Sequence, residues 1–193
     1  MTEENKTTEA GALQAQRDRI TVRLLCPDDV QTYKAVRLYA LKHSALTFGS
    51  SYEDEKAYGD EVFAHRIRHE GGNAVYGAFD GDTLLGTAGV FVQERFTQKH
   101  RGTLWGVYVM PQARGLGLGS ILVDHVIKYA EKHVVVLDAK VVASNDYARQ
   151  IYYDLGFEKY GLEKKSFCIE GQFQDQELIF IDFSSPEWRS KDN

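Results

Sequence analysis

The order of elements predicts an α/β (α+β) domain, with helices laid on the faces of one central sheet. Three observations carry this reading. Short apolar–polar alternations sit between turn dipeptides, and the period becomes helical elsewhere, most clearly from Gly117 to about His133. The two kinds of segment interleave between two polar ends of a 193-residue chain, with no repeat and no low-complexity linker between those ends. That length suits one domain, because domains commonly run about 100–200 residues.

Ile20 to Leu25 alternates as a half-buried strand does. Pro27 suits the first turn of a helix running to about Lys42, with Val30, Tyr33, Val36 and Leu41 facing inward. Ser50 and Ser51 followed by Glu53 and Asp54 form an N-terminal capping signal, and Gly71-Gly72 would end that second helix. Gly59 inside it predicts a split into two pieces. Ala74 to Phe79 and Thr83 to Glu94 pair through Asp80-Gly81, a dipeptide that accepts the positive φ of a tight hairpin. Thr103 to Met110 is a strand running into Pro111. The helix from Gly117 follows, with Leu118, Leu122, Val126 and Tyr129 on one face. Val134 to Val142 is an apolar strand and Asp146 to Leu155 a short helix stopped at Gly156. Lys165 to Ile169 and Gln176 to Phe183 close the chain around Glu170-Gly171.

Composition bounds function. With 43% hydrophobic and 26% charged residues, the chain is neither collagen-like, coiled-coil nor wholly disordered. A net charge of -5 argues against nucleic acid as the main partner and tilts toward cationic partners. Cys26 and Cys168 are too few for a disulfide framework and lack metal-ligand spacing, so no metal is expected. No stretch reaches the roughly 18–20 apolar residues of a membrane span. The first residues carry Glu3, Glu4, Lys6 and Glu9 without an apolar run, so a cytoplasmic chain with no membrane partner is expected. Residues 1–17 read as a disordered tail, 18–183 as the domain, and 184–193 as a second polar tail that Trp188 could pin to the body.

The most informative run is Val109-Met110-Pro111-Gln112-Ala113-Arg114-Gly115-Leu116-Gly117-Leu118-Gly119-Ser120. A strand stops at proline, a glycine-rich turn follows, and a helix starts at once. Glycines admit a ligand close to the backbone, and the free N–H groups of a first helical turn favour an anion. Arg114 adds a fixed charge, and together these groups describe a pyrophosphate cradle. It is not a P-loop, because no Gly-Lys-Ser/Thr follows. Nor does it have dinucleotide spacing: the glycines stand at 115, 117 and 119, and Asp138 falls within a strand rather than at its end.

The run Arg114-x-x-Gly117-x-Gly119, after a strand and Val109-x-Pro111, resembles the acetyl-CoA-binding motif of the GCN5-related N-acetyltransferases (GNAT). A second match follows in Asn145-x-x-Ala148-x-x-Ile151-Tyr152-x-x-x-Gly156-Phe157. The resemblance implies a mixed, mostly antiparallel sheet of about six to seven strands, with Thr103–Met110 splayed from Val134–Val142 to leave a V-shaped slot. It implies transfer of an acetyl group from acetyl-CoA, a co-substrate, to an amine by direct attack. Backbone groups at Val107, Tyr108 and Val109 would pair with the pantetheine arm. Arg114, Gly115, Gly117, Gly119 and Ser120 would hold the pyrophosphate, Asn145 would bond the arm from the other side, and Tyr152 occupies the position of the acid. A phenol with a reference pKa of about 10 stays protonated at neutral pH and can donate to a thiolate.

No acidic residue lies on Thr103–Met110, where many family members carry a glutamate, so no base is assigned. Glu94 and His100 flank the preceding loop, and a water relay or an amine arriving neutral serves equally well. The acceptor is read first as a small-molecule amine, with a peptide amine, a protein N-terminus or lysine, as the alternative. Glu53, Asp54, Glu55, Asp60, Glu61, Asp175 and Glu177 fall in the regions that shape acceptor sites in this family and could attract a cation. The resemblance allows a homodimer without the residues requiring one. It also allows a different class of function, a module that binds acetyl-CoA without transferring from it.

Overall fold

The computed structural model describes residues 15–189. Most of the expected N-terminal tail and the last residues of the C-terminal one lie outside the described residues. Residues 15–18 form a helical turn leading into the sheet.

Seven strands make one sheet: β1 (Ile20–Leu24), β2 (Ala74–Asp80), β3 (Thr83–Val92), β4 (Arg101–Val109), β5 (Val136–Val142), β6 (Glu158–Ile169) and β7 (Gln172–Asp182). Their order is β1-β2-β3-β4-β5-β7-β6. Every neighbouring pair is antiparallel except β4 and β5. The helices are α1 (Val30–His43), α2 (Tyr52–Glu55), α3 (Asp60–Arg66), α4 (Leu118–Ala130), α5 (Asp146–Asp154) and α6 (Pro186–Arg189). The sequence predicts this mixed sheet with helices on both faces. Among the described residues no helix is long and apolar enough to cross a membrane.

Side-chain alternation along the strands divides the core in two. On β2, Ala74 and Ala78 pack toward α4 and α5, where Leu122, Val126 and Tyr152 lie, while Val75 and Phe79 pack toward α1 and α3, where Tyr33, Val36 and Phe63 lie. Pro27–Asp29 is a 3-10 turn rather than the first turn of α1, because the Asp29 carboxylate turns back. It accepts the Cys26 N–H at 2.7 Å and both Arg23 guanidinium nitrogens at 2.7 and 2.8 Å. Ser51 caps α2 by accepting the Asp54 N–H at 3.1 Å, and the chain breaks before α3 at Gly59, as expected. α3 then stops at Arg66, short of Gly71-Gly72, because the next residue, Ile67, leaves the helix and is buried in the α1 core. β6 and β7 run longer than their alternation indicates, with 12 and 11 residues. β6 is an edge strand with a register shift between Glu163 and Phe167 and Lys165 at φ 51°, so its period of two is broken. Trp188 pins α6 as expected, donating Nε1–H to Glu131 at 2.8 Å and packing on Phe183.

The three helices on this face, α1, α2 and α3, are tied by a buried ion triad. Glu55 is 2% exposed. It accepts from Arg37 at 3.1 and 2.7 Å and from Arg66 at 2.6 Å. Burial alone would raise the Glu55 pKa, but the two guanidiniums outweigh it and the net shift is downward.

Removing this carboxylate strands two cations in the core. Glu55→Gln is expected to cost about 3–5 kcal/mol, read as a lower urea midpoint. Paired carboxylates also set the acid limit. Arg23 holds Asp29 down to about 2; Lys159, Tyr153 and Arg149 hold Glu177 down to about 2 against the upward pull of burial. Depressed carboxylates contribute full stability above their unfolded values near 3.8 and 4.5 and lose it as pH falls toward 2. Thermal melts should therefore be flat with respect to these groups from about pH 7 to 5 and fall steeply below about pH 4.

Candidate active site

The site begins where two neighbouring strands stop pairing. β4 and β5 share only three rungs, Arg101↔Val136, Gly102↔Leu137 and Thr103↔Asp138. Asp138 clamps the last rung, accepting from Thr103 Oγ1 at 2.8 Å and from Arg101 at 3.0 Å. Beyond it the strands diverge. Tyr108 lies opposite Thr87 and Trp105 opposite Gly89, so Gly106 and Val107 together face Ala88 alone, which is a β-bulge. Gly106 adopts φ 63°, a region closed to most side chains, and its carbonyl accepts the Thr87 hydroxyl at 3.0 Å. The bulge bends β4 away from β5. Met110 donates its N–H back to Leu85 at 2.8 Å, so strand alternation points the N–H and C=O of Val109 the other way, into the gap.

One end of the gap is closed by the glycine loop. Gly117, at φ 74°, is the N-cap of α4 and offers no capping side chain, and no acidic residue lies in the first turn. The leading N–H groups of a 13-residue helix are therefore left for an external acceptor. Arg114 stands beside them, exposed, with Nε 3.4 Å from the Val109 carbonyl and no carboxylate partner among the described residues. An uncapped helix start, glycines without side chains and one unneutralised guanidinium fit a diphosphate.

The far wall comes from β5 and α5. Asn145 caps α5, its Oδ1 accepting the Ala148 N–H at 3.1 Å, which leaves its amide N–H groups to serve the gap. Tyr152 packs edge-on against Phe157 at 5.6 Å and is 7% exposed. Burial pushes its phenol well above the usual tyrosine range, so it keeps its proton. The next residue, Tyr153, instead bonds its hydroxyl to Glu177.

A cavity of about 560 Å³ collects these groups: Val107, Tyr108 and Val109 on one side, Asn145 and Tyr152 on the other, and Arg114, Gly115, Gly117 and Gly119 at the end. Ser120, in the first turn of α4, does not line it. The sequence reading missed Ser44 and Thr47, which enter from the loop after α1, and Lys140 and Tyr147. Lys140 was open to inference, since alternation along β5 buries Leu137, Ala139 and Val141 and turns Lys140 outward. No carboxylate or imidazole among the described residues lines the cavity. Glu94 borders a different cavity, and His100 is exposed at the foot of β4.

Six of the seven acids read as a cation attractor are engaged within the fold, and Glu61 is exposed. Glu55 and Glu177 are buried in ion networks, Asp60 pairs with Lys34 at 2.7 Å, and Glu53 pairs with Lys56. Asp54 accepts from Ser51 at 2.6 Å, and Asp175 accepts the Lys165 N–H at 2.8 Å. No group of three or more potential metal-ligating His, Cys, Asp or Glu side chains occurs among the described residues.

The acetyltransferase (GNAT) family matches residues 35–157, which contain β2 to β5, the glycine loop and α5. The chain belongs to this family. A curated relative, N-alpha-acetyltransferase RimI of Mycobacterium tuberculosis, is 30% identical over 99 residues, covering 51% of this chain and 61% of the relative. Solved structures share the fold. An acetyltransferase of the GNAT family from Streptococcus pneumoniae superposes with a TM-score of 0.75 at 21% identity, covering 84% of this chain and 99% of that one. The Salmonella typhimurium protein yncA, solved with its cofactor acetyl-CoA, gives 0.77 at 18% identity, covering 86% and 95%. A ribosomal-protein-alanine N-acetyltransferase from Brucella melitensis gives 0.70 at 23% identity, covering 84% and 99%.

The two uses of Asn145 separate by substitution. Asn145→Ala should cost about 1 kcal/mol through loss of the cap, whereas Asn145→Asp keeps the cap and should hold its urea midpoint while losing the amide donors.

Proposed function

We propose that this GNAT-family protein transfers the acetyl group of acetyl-CoA to a primary amine. One observation carries the reading: the opening between β4 and β5 ends at an uncapped helix N-terminus with an unpaired arginine and has a protonated tyrosine on its wall. The cofactor of the yncA structure and the family match support it.

When bound, acetyl-CoA supplies a thioester carbonyl open to attack by an amine. The residues of this chain bind, orient and move a proton. Arg114 and the backbone N–H groups of Gly115, Gly117, Gly119 and Ser120 would hold the diphosphate. Backbone groups of Val107, Tyr108 and Val109 would extend the sheet along the arm, and the Asn145 amide would donate to it from the far wall. Tyr152 holds a proton at its hydroxyl, facing the cavity without an internal hydrogen-bond partner among the described residues, and would deliver it to the departing sulfur. The wall carries no carboxylate or imidazole, so the acceptor would enter as the neutral amine or lose its proton through water. The same feature favours a second reading, an acetyl-CoA-binding module without transfer. Amine-dependent release of free CoA decides between the two. The names of the Mycobacterium and Brucella proteins make a protein N-terminus one acceptor to include beside small amines.

Gly117→Asp should weaken acetyl-CoA binding by about tenfold or more in calorimetry, because it sets a carboxylate at the helix start. Gly117→Asn carries similar backbone strain without the charge and should bind far better than the Asp variant. Equal affinities would remove the cradle. Tyr152→Phe should lower kcat by about 10²-fold while leaving the acetyl-CoA Kd nearly unchanged. In the unaltered protein kcat/KM should rise with pH in step with the neutral amine, with no alkaline limb from Tyr152 below about pH 10.

A further inference from the structure

A second cavity of about 590 Å³ lies on the α1 face of the sheet, between the end of α3 and the β3–β4 hairpin. Its walls are Trp105 and Phe91, with His65 and Arg66 from α3 and Gln93, Glu94 and Arg95 from the hairpin. Three features give it a demand for negative charge. The triad beneath it holds two guanidiniums against one carboxylate, since Arg37 and Arg66 both bond Glu55. Arg66 is the member that reaches the cavity, with 22% of its side chain exposed and its guanidinium 5.9 Å over the Trp105 ring. Arg95 on the rim is exposed and has no ion pair among the described residues, and Glu94 is the one acid among the described lining residues, beside Arg95 and the Glu55-bonded Arg66. The Trp105 Nε1–H is buried beside Gly89 of β3, without an acceptor among the described residues, and so lies behind the ring face that the cavity presents.

This cavity and the transfer slot both border β4. Trp105 and Tyr108 lie on the same face of β4, on either side of the Gly106–Val107 bulge, and Tyr108 and Val107 line the slot. One residue, Gly106, separates Trp105 from Val107, a rise of roughly 7 Å along a strand. We infer that this cavity receives the acceptor, and that the acceptor is an amine carrying a carboxylate several bonds away, with an apolar linker across Trp105 and Phe91 and the carboxylate at Arg66 and Arg95. The inference rests on the transferase reading for the amine's destination. It narrows the small-molecule amine of the sequence reading to one that carries a carboxylate.

The test uses 6-aminohexanoate and hexylamine, which differ in the carboxylate. In a Trp188→Phe background, Trp105 is the remaining tryptophan of the two and reports occupancy without acetyl-CoA. The carboxylate probe should change its fluorescence saturably, with hexylamine at least about tenfold weaker, and the difference should shrink in high salt. Arg95→Gln, at an exposed and unpaired residue, should weaken 6-aminohexanoate by about threefold or more and leave hexylamine unchanged. Arg66→Lys, checked for folding by circular dichroism, should weaken it further. Equal responses to both probes, no saturable response to either, or indifference to both substitutions would overturn the inference. Calorimetry with acetyl-CoA on the same protein reads the transferase assignment separately. Failure there with the carboxylate response intact would leave an anion site and remove its role as the acceptor's; a protein N-terminus acetylated in preference to 6-aminohexanoate would overturn the acceptor class.

Discussion

Everything at the candidate site depends on β4 leaving β5 after three rungs. A sheet interior rarely leaves backbone groups unpaired, because a buried N–H or C=O without a partner costs about 1–3 kcal/mol. Here the separation is built in. The Asp138 clamp holds the strands together at Thr103, and the bulge at Gly106 turns β4 aside immediately beyond. The diverging edges make a gap whose unmet hydrogen bonds an extended ligand arm can satisfy, in the way an added strand would. α4 starts at the end of the same strand, so its exposed N–H groups stand where the gap closes.

Buried charge holds the surroundings of that gap. Glu55 ties α1, α2 and α3 through two arginines, and Glu177 ties α5 to β6 and β7 through Arg149, Lys159 and Tyr153. Removing any partner leaves a charge in low dielectric, so these networks restrict how the helices can sit on the sheet. They also reverse the inference drawn from net charge. The chain carries -5 overall, yet the cations facing the two cavities include the unpaired Arg114 and the Glu163-paired Lys140 at one, and the unpaired Arg95 and the Glu55-paired Arg66 at the other.

Much of the site was legible because it is local. Gly115, Gly117 and Gly119 follow a strand and open a helix within a few positions, and that geometry needs nothing from elsewhere in the chain. Asn145 came from the second motif, which does not show that its side chain caps the helix at Ala148. Tyr152 came from motif spacing alone; nothing in its neighbourhood of three tyrosines distinguishes it from Tyr153, which the fold commits to Glu177. Ser44 and Thr47 carried no signal, because they reach the cavity only through the path of the loop after α1. The lengths of β6 and β7 were underread because an edge strand with a bulge has no clean period of two.

By itself the sequence determined the fold class, the positions of most elements and the glycine-rich strand-to-helix turn, since each rests on periodicity or turn chemistry acting over fewer than about twenty residues. Only the tertiary structure decided which charges remain available. Whether Glu55 attracts a ligand or neutralises Arg37 and Arg66 depends on segments that meet only after the chain has folded over the sheet. The same is true of the cavity shared by Arg66, Arg95 and Trp105, because α3, the hairpin and β4 become neighbours through packing rather than through spacing along the chain.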